Sequence, residues 1–62
     1  SLTPTEQEVC RLIVGGKTNS EIATILKKTS NNVSTVRIHI RKKLGLTSQD
    51  DLRETLLNLM EK

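Results

Sequence analysis

The 62-residue sequence predicts an all-α fold, a compact four-helix domain with a central helix-turn-helix. Three observations support this fold class. Apolar residues recur at spacings of three and four residues in four successive stretches. Two of these stretches open with a threonine followed three residues later by a glutamate, and two end at glycines, as helices commonly do. Because so short a chain builds one domain at most, residues 1–62 are predicted to form a single domain.

The first helix is predicted over about residues 4–14. Thr3 is its N-cap, Pro4 fills the first helical position, and Glu6 completes a capping box with Thr3. Its apolar face consists of Val9, Leu12 and Ile13. The helix is expected to end at Gly15-Gly16, with one of these glycines in the left-handed conformation.

The second helix is predicted over about residues 19–27, with Thr18 and Glu21 forming another capping box. Its inward face is expected to hold four apolar residues, Ile22, Ala23, Ile25 and Leu26. Backbone N–H groups and the helix dipole attract anions at a helix N-terminus, so Lys17, Thr18 and Asn19 are candidate ligands for a DNA phosphate. Capping alone is the alternative interpretation.

The third helix is predicted over about residues 30–44, capped by Thr29 or Ser30 and stopped by Gly45, with Leu46 packing back in a Schellman motif. Its core face consists of Val33, Val36, Ile40 and Leu44. Its opposite face presents Asn31, Ser34, Thr35, Ile38 and Lys42, with His39 at the edge. A short helix, a tight turn and a longer helix with a polar N-terminal end are typical of a helix-turn-helix unit.

The outward face of the third helix suits a DNA major groove. Short polar side chains at its N-terminal end would reach base edges, while Lys and Arg further along would reach phosphates. Residues 22–49 contain six Lys and Arg residues and no acid, whereas the segments on either side are mildly acidic. The absence of aromatic residues argues against binding single strands or RNA loops. A solvated polar face is the alternative.

The fourth helix is predicted over about residues 48–60, capped by Thr47 or Ser48. One of its faces consists of Leu52, Leu56 and Leu59, and an adjacent edge of Arg53, Leu57 and Met60. In a domain this small, one edge is expected to pack inward and the other to meet a second copy of the chain. Burial of both edges within one chain is the alternative.

The composition argues against several classes of function. The single cysteine and single histidine form no metal-ligand cluster, and no cofactor is predicted. No nucleophile–base pair, carboxylate pair with a pocket or glycine-rich phosphate loop is evident, so an enzyme is not predicted. No apolar run approaches about 18 residues and the start is unlike a signal peptide, so a cytoplasmic protein without a membrane segment is expected.

A spaced set of residues extends through most of the chain: Leu2, Thr3, Glu6, Val9, Gly16, Thr18, Asn19, Glu21, Ile22 and Ala23, and later Lys43-Leu44-Gly45-Leu46. This set resembles the LuxR/FixJ/NarL-type (GerE-like) DNA-binding domains of transcription regulators. The resemblance implies that the third helix reads the major groove of duplex DNA. It also implies that the fourth helix pairs two copies on an inverted repeat, and that a separate N-terminal part receives a signal, as in a response regulator. RNA polymerase is a further candidate partner.

By position, Asn19 corresponds to a residue that contacts the DNA backbone in this family. Ser34 and Ile38 correspond to positions that face the groove. Ser34 stands where many members have a DNA-contacting lysine, so the base preference is not transferable from relatives. Arg37 and Arg41 occupy positions that are often apolar, and they are expected to extend to phosphates or to pair with an acid such as Glu6. The predicted DNA-binding set is Lys17, Thr18, Asn19, Asn31, Asn32, Ser34, Thr35, Arg37, Ile38, Arg41 and Lys42. The predicted dimer contacts are Arg53, Leu57 and Met60.

Two other functions fit the sequence less well. A sigma-factor region-4-like module shares a helix-turn-helix, but such modules typically end soon after the recognition helix, whereas this chain continues into a leucine-rich helix. A helical protein-interaction domain without DNA binding would leave the cationic segment between Glu21 and Asp50 unexplained. Gel-shift measurements at varied salt separate this second alternative from DNA binding.

Overall fold

The computed structural model describes residues 1–60, which contain the helices α1 (Pro4–Val14), α2 (Asn19–Leu26), α3 (Ser30–Leu44) and α4 (Leu52–Met60). Helix α1 is central, since it packs against each of the other three, and α2 packs in addition against α3. All four helices contribute to one core, which consists of Val9, Ile13, Ile22, Ala23, Val33, Ile40, Leu52 and Leu56. The all-α prediction is confirmed. No helix within residues 1–60 combines the length and apolar character needed to cross a membrane.

The predicted starts of the first three helices are confirmed by their caps. The Thr3 hydroxyl accepts from the Glu6 amide at 3.2 Å, and the Glu6 carboxylate accepts from the Thr3 amide at 2.8 Å. Thr18 and Glu21 repeat this capping box with distances of 3.2 and 2.9 Å. Thr29 caps α3 by accepting from the Asn32 amide. These contacts join residues three apart, which is why the local sequence predicts them.

The same three helices end in Schellman motifs, in which two backbone N–H groups bond back to carbonyls of the last turn. Each motif requires one residue in the left-handed conformation. Gly16, with φ of +84°, supplies it after α1, and Gly45, with φ of +71°, supplies it after α3. After α2 the position is taken by Lys27, with φ of +57°. Of these three helix ends, the one in the turn of the helix-turn-helix therefore places a non-glycine residue in a conformation that favours glycine.

The predicted start of the fourth helix is wrong. Helix α4 begins at Leu52 rather than near residue 48, and its N-cap is Asp51, whose carboxylate accepts from the Glu54 amide at 3.0 Å. Thr47 instead belongs to a separate turn, because its amide and hydroxyl both donate to the Asp50 carboxylate at 2.8 and 3.2 Å. This turn takes up the residues that would otherwise form the first turn of the helix.

Two predictions of inward-facing residues are also wrong. Ile25 is 50% exposed, because the buried face of α2 centres on Ile22 and Ala23, and Ile25 lies at its far edge. Leu59 is 48% exposed, because the core ends at Leu56 and Leu59 extends one turn beyond it. The core face of α3 is as predicted, with two members fully buried and two half-buried, Val36 and Leu44.

The buried carboxylate of Glu6 joins the start of α1 to the last turn of α3. Glu6 is only 6% exposed, and its Oε1 accepts from the Lys43 ammonium at 2.7 Å as well as from the Thr3 amide. The alternative that Arg37 or Arg41 pairs with Glu6 is wrong, because Lys43 takes that place. Successive helical residues are about 100° apart, so Lys43 projects from a different side of α3 than Arg37 and Arg41 do. The bond from Lys43, and after it the bond from Thr3, lowers the pKa of the Glu6 carboxyl.

Lys27→Gly should stabilise the domain by up to about 1 kcal/mol, because glycine adopts a positive φ without steric cost. Gly45→Ala should destabilise it by a similar amount for the converse reason, although space for a methyl group is present there. Urea unfolding followed by circular dichroism measures both changes. Lys28→Gly is the control, since Lys28 has a negative φ and the substitution should not stabilise. Stabilisation by both Lys-to-Gly changes would contradict the conformational explanation.

Acid should weaken the domain partly through Glu6. Its pKa is lower in the folded state than the ordinary value of 4.5, so its contribution to the free energy of unfolding is complete above that value. That contribution is lost as the pH falls through the folded pKa. The loss of stability between pH 7 and about pH 3 should therefore be smaller in Glu6→Gln than in the original protein. Glu8→Gln, which alters the surface pair with Arg11, should keep the full loss.

Candidate nucleic-acid interface

The outward side of α3 is a polar surface with one apolar residue near its middle. Asn31, Ser34, Thr35, Ile38 and Lys42 are all exposed and lie opposite the buried Val33 and Ile40. His39 is exposed at its edge, and Asn32 is exposed beside it. We refer to these five residues, Asn31, Ser34, Thr35, Ile38 and Lys42, as the α3 face. Each of them is therefore accessible to a partner.

The N-terminus of α2 lies against the α3 face. The Asn19 side-chain amide donates to the Ser34 hydroxyl oxygen at 3.3 Å, across 15 positions of the sequence. This bond brings together a candidate phosphate ligand and a candidate base reader from two separate helices. A ligand lying along the α3 face therefore also meets the start of α2.

The start of α2 retains two unsatisfied backbone donors. The capping box already uses the Thr18 and Glu21 amides, whereas the amides of Asn19 and Ser20 have no partner within residues 1–60. The Glu21 carboxylate lies here as well, and the bond from the Thr18 amide is the main cause of its lowered pKa. Lys17 lines a shallow depression on the outer side of α2 together with Ser20, Glu21, Thr24 and Ile25. An anion at this N-terminus would thus meet two amides and a lysine, but also one carboxylate.

The six cations of the basic segment fall into two groups. Lys43 is paired with Glu6, and the Nη1 of Arg41 donates to the backbone carbonyls of Thr47 and Asp50 at 3.1 and 2.6 Å. Arg37 is half-buried, and burial, followed by the nearby Arg41, lowers the pKa of its guanidinium. The other three cations, Lys27, Lys28 and Lys42, are exposed and form no ion pair within residues 1–60.

Arg41 has a structural contact that the sequence did not reveal. Its two carbonyl acceptors belong to the turn between α3 and α4, so the guanidinium ties α3 to the start of α4. Both bonds use Nη1, which leaves the Nε and Nη2 donors for another partner. Because both acceptors are backbone carbonyls, which every residue carries, no side chain in this turn signals the contact from the sequence.

The end of α4 is apolar and accessible. Met60 is 66% exposed, Leu57 is half-buried, and Arg53 is exposed on the same edge. The partly exposed Leu59 extends this apolar surface.

Within residues 1–60, no group of His, Cys, Asp and Glu side chains is arranged to hold a metal ion. Cys10 is half-buried against the core, and burial raises the pKa of its thiol.

The sequence of this chain is similar to those of several known proteins. The family described as "Bacterial regulatory proteins, luxR family" matches residues 1–55. The chain is 43% identical over 58 residues to the uncharacterized response regulatory protein YgeK of Escherichia coli K12, covering 94% of this chain and 40% of that protein. It is 47% identical over 47 residues to the transcriptional regulatory protein MctR of Rhizobium johnstonii, covering 76% of this chain and 22% of that protein.

The chain is also similar to the putative HTH-type transcriptional regulator Mb0914c of Mycobacterium bovis. It is 44% identical over 52 residues, which are 84% of this chain and 6% of that protein. The chain therefore spans less than half the length of each of these three relatives. No solved structure matches it significantly.

Proposed function

Since the chain belongs to the LuxR family of bacterial regulatory proteins, we propose that it binds duplex DNA sequence-specifically, with α3 lying in the major groove. The observation that carries this proposal is the joint surface formed by the α3 face and the start of α2. An α-helix fits the width of the major groove, and a second helix N-terminus beside it then meets the sugar-phosphate backbone. The Asn19–Ser34 hydrogen bond holds the two parts in register.

The side chains divide into two roles in this proposal. Asn31, Ser34, Thr35 and Ile38, in the first half of α3, face base edges, with Asn32 beside them. Six residues approach phosphates: Lys17, Thr18, Asn19, Arg37, Arg41 and Lys42. Arg41 does so with the donors that its bonds to the α3–α4 turn leave over, and Arg37 by extending past the core edge. The basic character of residues 22–49 supports this arrangement.

The domain would act as part of a longer regulator. The relatives named as response regulatory or transcriptional regulatory proteins are at least twice its length. We propose that this chain is the DNA-binding output domain of such a protein, working in the cytoplasm where the bacterial chromosome lies. RNA polymerase is then a second partner of the complete regulator.

Two copies are proposed to pair through α4. The edge formed by Arg53, Leu57 and Met60 is accessible, and its apolar members would be covered by the same edge of a second copy. A two-fold axis there would set two α3 helices about one DNA turn, roughly 34 Å, apart on an inverted repeat. The small apolar area of this edge favours pairing on DNA over a stable dimer in solution.

The proposal is tested by selecting bound duplexes from a random DNA pool and measuring their affinity as a function of salt. Lys42→Ala should weaken binding to all duplexes similarly and reduce the slope of log K against log salt by about 1, because one phosphate contact is lost. Arg11→Ala removes the same charge from the outer surface of α1 and should leave the slope unchanged. Absence of any salt-dependent duplex binding would refute the function, and equal slopes for Lys42→Ala and the original protein would refute this contact.

Pairing is tested with charges placed on α4. Leu57→Glu, or Met60→Glu at the more exposed position, should preserve the helical fold and half-site binding but abolish cooperative binding to the full inverted repeat. Asn58→Glu, about 100° around the helix from Leu57, adds the same charge and should preserve cooperativity. Leu56→Glu should unfold the domain, because Leu56 is buried. Cooperative binding by both edge variants would show that α4 is not the contact.

A further inference from the structure

Ile38 is the one apolar member of the α3 face, and it is 54% exposed. Ser34 and Lys42 lie one helical turn before and after it. A single exposed isoleucine is common on protein surfaces and needs no explanation by itself. Its position is what matters here, because the proposed function puts it against the floor of the major groove. There it meets base edges, which offer mostly polar groups.

The polar neighbours of Ile38 already have part of their hydrogen-bonding capacity in use. The Ser34 oxygen accepts from Asn19, so its hydroxyl proton remains to be donated. The Thr35 hydroxyl donates to the Asn31 carbonyl at 3.1 Å, so its oxygen remains as an acceptor. Neither can supply the two parallel donors with which Arg or Lys selects guanine. Ser34 and Thr35 by themselves therefore discriminate only weakly between base pairs.

An isoleucine side chain distinguishes base pairs by the hydrogen-bonding groups on the base edges that it leaves without a partner. Against a G·C pair it would displace water from the guanine O6 and N7 or the cytosine amino group and offer no hydrogen bond in return, which is costly. Against thymine it meets the C5-methyl group, the one apolar group of the major-groove edge. Contact with that methyl group buries apolar surface on both partners at no polar cost.

We propose that Ile38 selects an A·T base pair in each half-site by packing against the C5-methyl group of thymine. This inference rests on the proposed function, and it names the kind of DNA that the same surface prefers. Ile38 is then a specificity-determining residue, and Ser34 and Thr35 add donor and acceptor contacts to the flanking bases.

The test removes the methyl group from the DNA and the side chain from the protein. The probe is a duplex selected from a random pool by the original protein, with each thymine in turn replaced by deoxyuridine. Deoxyuridine pairs in the same way but lacks the C5-methyl group. At one thymine per half-site the original protein should bind about fourfold more weakly, the loss expected for one buried methyl-sized group. Ile38→Ala should bind the thymine and deoxyuridine duplexes equally.

Ile25→Ala is the matched control, since Ile25 is 50% exposed but lies on the outer side of α2. It should keep the fourfold loss seen with the original protein. Ile38→Ala should remain folded, because alanine favours the helix and the replaced side chain is on the surface. A helical circular dichroism spectrum and cooperative urea unfolding confirm that this variant is folded.

The two levels of the proposal fail in different ways. Selection of a preferred site without any loss on deoxyuridine substitution would overturn the role of Ile38 and leave the DNA-binding function standing. A loss that Ile38→Ala shares at every thymine would do the same, because the methyl group would then contact another residue. Failure to retain any duplex from the pool would overturn the DNA-binding function, and the role of Ile38 with it.

Discussion

The position of α3 depends on the buried carboxylate of Glu6. The same oxygen accepts from the amide that starts α1 and from Lys43 near the end of α3, which lies 37 residues further along the chain. Within residues 1–60 the core has eight buried apolar residues, and apolar burial is by itself non-directional. The ion pair between the Glu6 carboxylate and the more exposed Lys43 adds a directional contact between α1 and the last turn of α3.

Helix α3 is held at three points along its length. The Asn19–Ser34 bond ties its first half to α2, the Glu6–Lys43 pair ties its last turn to α1, and Arg41 ties it to the turn before α4. Of the α3 face, only the Ser34 hydroxyl takes part in these contacts, and all five residues of the face stay exposed. A helix that reads DNA must present side chains at fixed positions, because hydrogen bonds to base edges tolerate little displacement. The fold supplies that rigidity without using the α3 face as packing surface.

The cationic residues are used for two different purposes, which net charge alone does not reveal. Lys43 has a structural contact and Arg41 shares its donors between the fold and solvent, whereas Lys42, between them in sequence, is exposed. Neighbouring residues on a helix point about 100° apart, so three successive cations reach three different environments. All of them contribute to the long-range electrostatic field, and the proposed phosphate contacts of α3 come from Arg37, Arg41 and Lys42.

The sequence by itself determined the helix class, the limits of the first three helices and the two sides of α3. These features depend on capping boxes, Schellman turns and apolar spacing, all of which act within about five residues. Tertiary structure alone decided the partner of Glu6, the start of α4 at Leu52 and the exposure of Ile25 and Leu59. Asp50 and Asp51 are both suitable helix caps. Asp51 caps α4, because Asp50 is held in the preceding turn by Thr47 and by Arg41 of α3. Such contacts depend on where distant segments meet, and local propensity carries no information about that.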